Sequence, residues 1–245
     1  YVGKPIPRND ISKMVRGEEV YIQDLRFPGM VHARVVRPEG YGSTLTKVGD
    51  SGLSSEVAGA IKTVVNGSFL GVIAEKEYQA VKAERYLKEH SEWSASPSFP
   101  DQKNIYLYLK SIAEHPQNIK NEGDATTTPA SSKTFKATYT KPYLKHGSIG
   151  PGCAISMYDG EILHIWSHSQ GIYPMRRAIA GMLKIEENKI HVIAVPGAGC
   201  FGHSTADDAA ADASILALAY PGKHIRVQWS RQNEHSWDPY GSAMI

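Results

Sequence analysis

Residues 195–219 read VPGAGCFGHSTADDAAADASILALA. A β-branched run stops in a glycine-rich turn, and the turn opens an alanine-rich stretch whose composition favours helix. A strand must end and a helix begin within about ten residues, with Gly197, Gly199 and Gly202 set around Cys200 and Phe201. Glycine tolerates positive φ and allows close backbone approach, so the stretch reads two ways. It is either a plain strand-to-helix corner, or a cradle in which N–H groups at the helix N-terminus converge on an anion or oxyanion. Asp207 or Asp208 could instead cap that helix, favoured by its dipole, and the two readings can hold together. The turn lacks the Lys-Ser/Thr of a P-loop, and a dinucleotide site would need an acidic partner about 20 residues further on. Taken alone, the turn leaves both readings open.

Around this junction the chain divides into three parts. Residues 1–93 read as a compact α+β unit. EVYIQDL (19–25) and MVHARVVRP (30–38) are strand-like and separated by RFPG, and IKTVVNGSFLGVIAE (61–75) gives a hairpin about Asn66-Gly67. EKEYQAVKAERYLKEH (75–90) then reads as a helix with Tyr78, Val81, Ala83 and Leu87 near one face. Residues 94–132, rich in Ser, Pro, Thr and Gly, read as a linker with one short helix in NIYLYLKSIAEH. Residues 133–245 resume strand and helix alternation: TFKATYT (134–140), a hairpin in 154–167 hinged at Asp159-Gly160, a helix in 175–185, a buried strand in 188–196, then the opening stretch and a strand in IRVQWS (225–230). The sheet so formed is expected to have an open edge, completed by further sequence or a partner.

The balance of 27 basic and 25 acidic residues, net +2, gives no electrostatic case for nucleic acid or an anionic membrane, so any anion site must be local. No apolar run approaches the roughly 20 residues of a membrane helix. The opening YVGKPIPRND carries no signal-peptide core and no Met, so a fragment or a processed chain is expected. Cys153 and Cys200 fit no zinc, iron–sulfur or CxxC spacing, and ten histidines form no HExxH set, so no metal site is expected. Cys200 in its turn suits a thiolate, but no histidine is tied to it by sequence, which ranks a cysteine-hydrolase reading low. Gln170, at the end of an apolar strand, could grip an oxo or carbonyl group of a ligand, or be an ordinary loop glutamine. In KHGSIGPGCA (145–154) the Gly150-Pro151-Gly152 turn fixes how His146 and Cys153 enter the next strand, and His146 reads equally as a structural histidine.

Taken together and in order, these stretches resemble the large molybdenum-binding subunit of the xanthine oxidase family over nearly the whole chain. VGKPIPRNDISKMVRGEEVYIQDLRFPGMVHARVVRP and GSFLGVIAEKEYQAVKAERYL are similar to the entry and end of its small a/b hammerhead domain. HGSIGPGCA, WSHSQG, GAGCFG, DDAAADA and QWSRQNEHSWDPYG recur in the order of the first part of its molybdopterin-binding aldehyde oxidase/xanthine dehydrogenase domain. His146 to Pro151, Gly199 to Gly202, Asp207 to Asp212 and Arg231 to Pro239 are similar to the isoquinoline 1-oxidoreductase beta and nicotinate dehydrogenase B subunits. Gly150-Pro151 stands where the wider family has Glu-Pro.

The resemblance implies an α+β fold: hammerhead domain (1–93), linker (94–132) and truncated molybdopterin-binding domain (133–245). It implies that Gln170 hydrogen-bonds an oxo ligand of molybdenum, and that Gly199, Cys200, Phe201 and Gly202 line the molybdopterin site, with no direct metal ligand from the chain. The implied reaction hydroxylates an N-heteroaromatic or aldehyde substrate with water as oxygen source. Electrons would leave through iron–sulfur clusters on a small partner subunit, and the cofactor would be the cytosine dinucleotide form. The family's base glutamate belongs to the remaining part of the large subunit, so no catalytic residue is assigned here, none of Glu161, Glu186, Glu187 or Glu234 takes that role, and the chain alone should not turn over. The alternative is a folded fragment or assembly subunit that binds no cofactor. The compartment, cytoplasmic or periplasmic, is left open.

Overall fold

The structure, a computed structural model, describes residues 1–18, 20–113, 117–120, 122–123 and 131–245. Two compact units are present: Tyr1–Pro97 with His146–Pro239, and Ser98–Lys145 with Tyr240–Ile245. Along the chain the elements are α1 (Ile11–Val15), β1 (Val31–Val36), β2 (Leu45–Lys47), α2 (Leu53–Glu56), β3 (Ala60–Asn66), β4 (Phe69–Ala74), α3 (Glu77–His90), β5 (Glu92–Trp93) and α4 (Ile105–Ser111). They continue with β6 (Cys153–Tyr158), β7 (Leu163–Ser167), α5 (Ile172–Leu183), β8 (Ile190–Ala194), α6 (Ala206–Ala219), β9 (Ile225–Gln228) and α7 (Arg231–Trp237).

The larger unit is built on a mixed seven-stranded sheet of order β3-β4-β1-β9-β6-β7-β8. The pairs β1–β9 and β7–β8 are parallel and the others antiparallel. Strands from 1–93 and from 133–245 therefore share one sheet, joined where Val31 lies opposite Ile225 and Ala33 opposite Val227.

Both hairpins form where the turn dipeptides predict. Gly67 (φ 56°) joins β3 to β4, and Gly160 (φ 106°) lies between β6 and β7. Asp159 Oδ1 accepts hydrogen bonds from the N–H groups of Glu161 (2.8 Å) and Ile162 (2.7 Å), closing the second turn. Alternation along β7 buries Leu163, Ile165 and Ser167 on one face and turns His164 and Trp166 to the other.

One face of the sheet is covered by α6, whose buried residues are mostly alanine. Small side chains let the helix sit close to β6 and β7, in a core with Ile165, Ile225 and Val227. Asp212 is buried there, accepting from Trp229 Nε1 at 2.9 Å and Arg37 Nη2 at 2.6 Å, so this acid is paired. The other face receives α3 over β1 and β4, through Ala80, Ala83 and Leu87. Beside it the segment before β1 lays Ile22, Leu25 and Phe27 over Cys153, Ile155 and Trp166.

Several local expectations are corrected. Residues 20–25 form no strand: Tyr21–Asp24 is a turn, with Asp24 N–H donating to Tyr21 O (2.8 Å), while Glu19 lies outside the described residues. Apolar residues there dock onto a sheet face and never align with a strand edge. Residues 134–140 likewise carry no strand pairing and lie exposed. Tyr78 is exposed, and the buried stripe of α3 runs through Ala80 instead. The 188–196 strand, expected to be buried, is the edge strand β8, with only Ile190 fully buried. The helix read in NIYLYLKSIAEH is α4; Glu114 and His115 lie outside the described residues, as does 124–130 of the linker. In the smaller unit α4 is accompanied by two bridges, Lys141 with Met244 and Leu144 with Gly241. Among the described residues no helix is long and apolar enough to cross a membrane.

Candidate cofactor cradle

Sheet direction decides which loops meet. β7 and β8 are parallel, so the loops leaving them, 168–171 and 195–205, emerge at the same end of the sheet; Val195 N–H donates to Ser167 O at 2.9 Å. β6 runs antiparallel to both β7 and β9, so the turn entering it, 146–152, and the end of β9 at Gln228 arrive at that end too. Every loop on which sequence reasoning placed a candidate thus lies at one end of one sheet, beyond the C-terminal ends of two parallel strands, where ligand crevices form in such sheets.

The two glycine turns are tied directly. Ile149 and Gly150 both point their N–H groups at Ala198 O, at 3.0 and 3.3 Å. A Cβ on Gly150 would stand 2.8 Å from Ala198 Cβ. The absence of a side chain at Gly150 is therefore what allows this contact. Gly152 lies against the buried Thr205, whose Oγ1 would be 2.0 Å from an added Cβ. Gly197 is in similar contact with His168, with Nδ1 2.3 Å from such a Cβ.

His168 is buried, and Cys153 N–H faces its Nε2 at 3.4 Å. Burial lowers the His168 pKa, against the opposing pull of Asp207, so the neutral ring with Nε2 as acceptor is the form that fits. The 146–152 turn is also held from α7. Ser148 Oγ lies 2.9 Å from Oε1 of the buried Glu234, Arg231 pairs with that carboxylate, and Arg231 Nη2 donates to Ile149 O at 2.8 Å.

Gly199 and Gly202, with φ of 95° and 138°, lead into α6. Asp207 and Asp208 stand in its first turn and do not cap it: the N-cap is Thr205, with no side-chain cap hydrogen bond. The acids come too late in the chain to fold back on the first amides. Thr205 Oγ1 and His146 Nδ1 are buried without a hydrogen-bond partner, and His146 packs on Gly202. Uncapped amides, two glycines at positive φ and two orphaned polar atoms make a donor set suited to a polyanionic ligand, so the residues present fit a phosphate-bearing pterin cofactor. Of the candidates, Gln170 and Phe201 are exposed, and Gly199 and Cys200 are half-buried. Both cysteines are free; burial pushes the Cys153 thiol up to about 11 despite the Arg226 guanidinium beside it. Among the described residues no cluster of three His, Cys, Asp or Glu could hold a metal ion.

Residues 111–245 match the molybdopterin cofactor-binding domain, and the chain belongs to that family. Among its relatives, the B subunit of nicotinate dehydrogenase from Pseudomonas putida is 33% identical over 254 aligned positions, which take in 100% of this chain and 21% of that protein. The beta subunit of isoquinoline 1-oxidoreductase from Brevundimonas diminuta is 24% identical, over 99% of this chain and 32% of that protein. The fold is shared with the aldehyde oxidoreductase of Desulfovibrio gigas, with a TM-score of 0.75 at 15% identity, covering 98% of this chain and 32% of that one. The chain thus spans between a fifth and a third of the length of these relatives, and the xanthine oxidase family resemblance read from its motifs is borne out.

Sequence reasoning missed His168, Ile22, Gln23, Thr205 and the Arg231–Glu234 pair as parts of this site. Only the sheet brings them together, and the signal available was that Ile22 and Gln23, His168 and the Arg231–Glu234 pair all lie within the resembling stretches.

Proposed function

We propose that the chain is part of the large subunit of a molybdenum hydroxylase, and that its two interlocked glycine turns form one wall of the molybdopterin site. The observation that carries this reading is the convergence of turns 146–152, 168–171 and 195–205 at one end of the sheet, with Ala198 O shared between two of them. In this reading 1–93 is the hammerhead domain, 94–132 the linker and 133–245 the first part of the molybdopterin-binding domain.

When bound, the molybdenum cofactor would supply the two-electron oxidation, with water as oxygen source. The backbone groups of Gly199, Cys200, Phe201 and Gly202 would hold its anionic oxygens, because N–H donors without side-chain bulk approach closely and the start of α6 favours negative charge. The Gln170 amide would hydrogen-bond an oxo ligand and fix its orientation. His168 and the Arg231–Glu234 pair would keep these loops from relaxing, so the donors are in place before the charge arrives. The substrate class is N-heteroaromatic or aldehyde, favoured toward the former by the nicotinate and isoquinoline relatives. The cofactor form is the cytosine dinucleotide, and electrons pass to iron–sulfur clusters on a small partner subunit. The base is carried by the remaining part of the large subunit.

The test is to express the chain alone and with its neighbouring gene products, and to assay molybdenum and oxidised pterin fluorescence in each preparation. Stoichiometric molybdenum and pterin in the complex support the reading. A folded complex with neither leaves the chain as a cofactor-free assembly subunit.

A further inference from the structure

One two-residue segment, Ile22-Gln23, holds both turns without belonging to either. Ile22, fully buried, donates its N–H to Pro196 O at 2.8 Å, at the start of the 195–205 turn. The next residue, Gln23, donates from Nε2 to Pro151 O at 3.3 Å, in the 146–152 turn. The amide orientation is dictated, since a proline carbonyl only accepts. That leaves Gln23 Oε1 buried and without a partner. A Cβ on Gly150 would stand 3.1 Å from Gln23 Nε2 and 2.8 Å from Ala198 Cβ, so glutamine, glycine and alanine meet at one point. Gln228 Nε2 also donates to Pro151 O, at 3.0 Å, but from within the sheet and to that turn alone.

We propose that Gln23 is a positioning residue for the cofactor cradle: with Ile22 it forms a strap that ties turn 146–152 to turn 195–205 and sets the spacing of the donors lining the cofactor. The inference rests on the reading that this site holds molybdopterin. A buried amide oxygen left unpaired is destabilising, a penalty that a pure packing residue such as leucine or methionine would avoid. Glutamine is thus present for its donor.

The test compares Gln23→Met, which keeps shape without a donor, with Gln23→Lys, which returns a donor, in protein co-expressed with its neighbouring gene products in a host that makes the molybdenum cofactor. Two readouts are taken: released pterin fluorescence per chain, and amide hydrogen exchange at Ile149 and Gly150 in cofactor-free protein. The expected result is exchange about tenfold faster and pterin content at least threefold lower in Gln23→Met, with exchange returned near the wild-type rate in Gln23→Lys. A packing role would leave Met unchanged and would not be rescued by Lys, and either outcome overturns the inference. If wild-type protein itself carries no pterin, the cofactor reading fails first and the inference falls with it. Wild-type protein that is loaded, beside an equally loaded Gln23→Met, sinks the inference alone.

Discussion

Gly67 and Gly160, in the two hairpin turns, have positive φ and nothing within 4 Å of where a Cβ would sit. Gly150, Gly152 and Gly197, in the turns of the candidate site, have ordinary φ, and a Cβ on any of them would collide with a neighbouring loop. The same residue type solves a local backbone problem in one region and a contact between distant segments in the other. Hairpin glycines can be read from a dipeptide, because the turn they serve is complete within four residues. These three site glycines serve a partner that only the folded sheet brings near, while Gly147, Gly199 and Gly202 in the same turns carry positive φ as the hairpin glycines do.

The comparison is tested most severely by Gly152→Val. Its side chain would enter the space of the buried Thr205, with an expected loss of about 3 kcal/mol, a lowered Tm and no pterin retained. Next is Arg231→Met, which removes the guanidinium paired with the carboxylate of Glu234, 1% exposed. A loss of about 2 kcal/mol is expected, read by urea denaturation, with part of it returned when Glu234→Gln is added. Gly67→Ala should be milder, about 1 kcal/mol for holding an L-residue at φ 56°, and pterin content should stay at the wild-type level. Were it to empty the site as Gly152→Val does, the division into two kinds of glycine would be wrong.

The smallest effect is expected at Asp159. Hydrogen bonds from Ile162 and Glu161 N–H, then His164, hold its carboxyl down to about 2 from an ordinary 3.8. A lowered folded value means the contribution is complete above about pH 4 and is lost as pH falls through 2. The carboxyl carbon shift of Asp159 should titrate near pH 2 by NMR, with the site turns unaffected at the point where the hairpin loosens.

What was legible in the sequence follows from range. The strands about Asn66-Gly67 and Asp159-Gly160 and the helix α3 rest on neighbours a few positions away, and they formed as read. Residues 20–25 were misread because apolar alternation records burial but not the strand edge that would supply hydrogen bonds. The cap read at Asp207 or Asp208 falls instead at Thr205, two or three positions earlier, within the spread of helix boundaries read from sequence. The motifs placed Gln170 and Gly199 to Gly202 on loops that the sheet does bring to one end. The groups holding those loops were invisible, since Ser148 and Glu234 are 86 positions apart and Gln23 and Pro151 are 128 apart.

The parallel pairing of β1 with β9 bears on synthesis as well as on architecture. β1 is made roughly 190 residues before the strand it needs on one side. At 5–20 residues per second, the wait on the ribosome is on the order of ten to forty seconds. Through that interval β1, β3 and β4 can pair, but Val31, Ala33 and Val35 have no α6 to cover them and one edge of β1 has no neighbour. The nascent chain therefore passes through a stage with a hydrophobic, half-paired sheet, open to a stray strand or a chaperone, before its own ninth strand closes it.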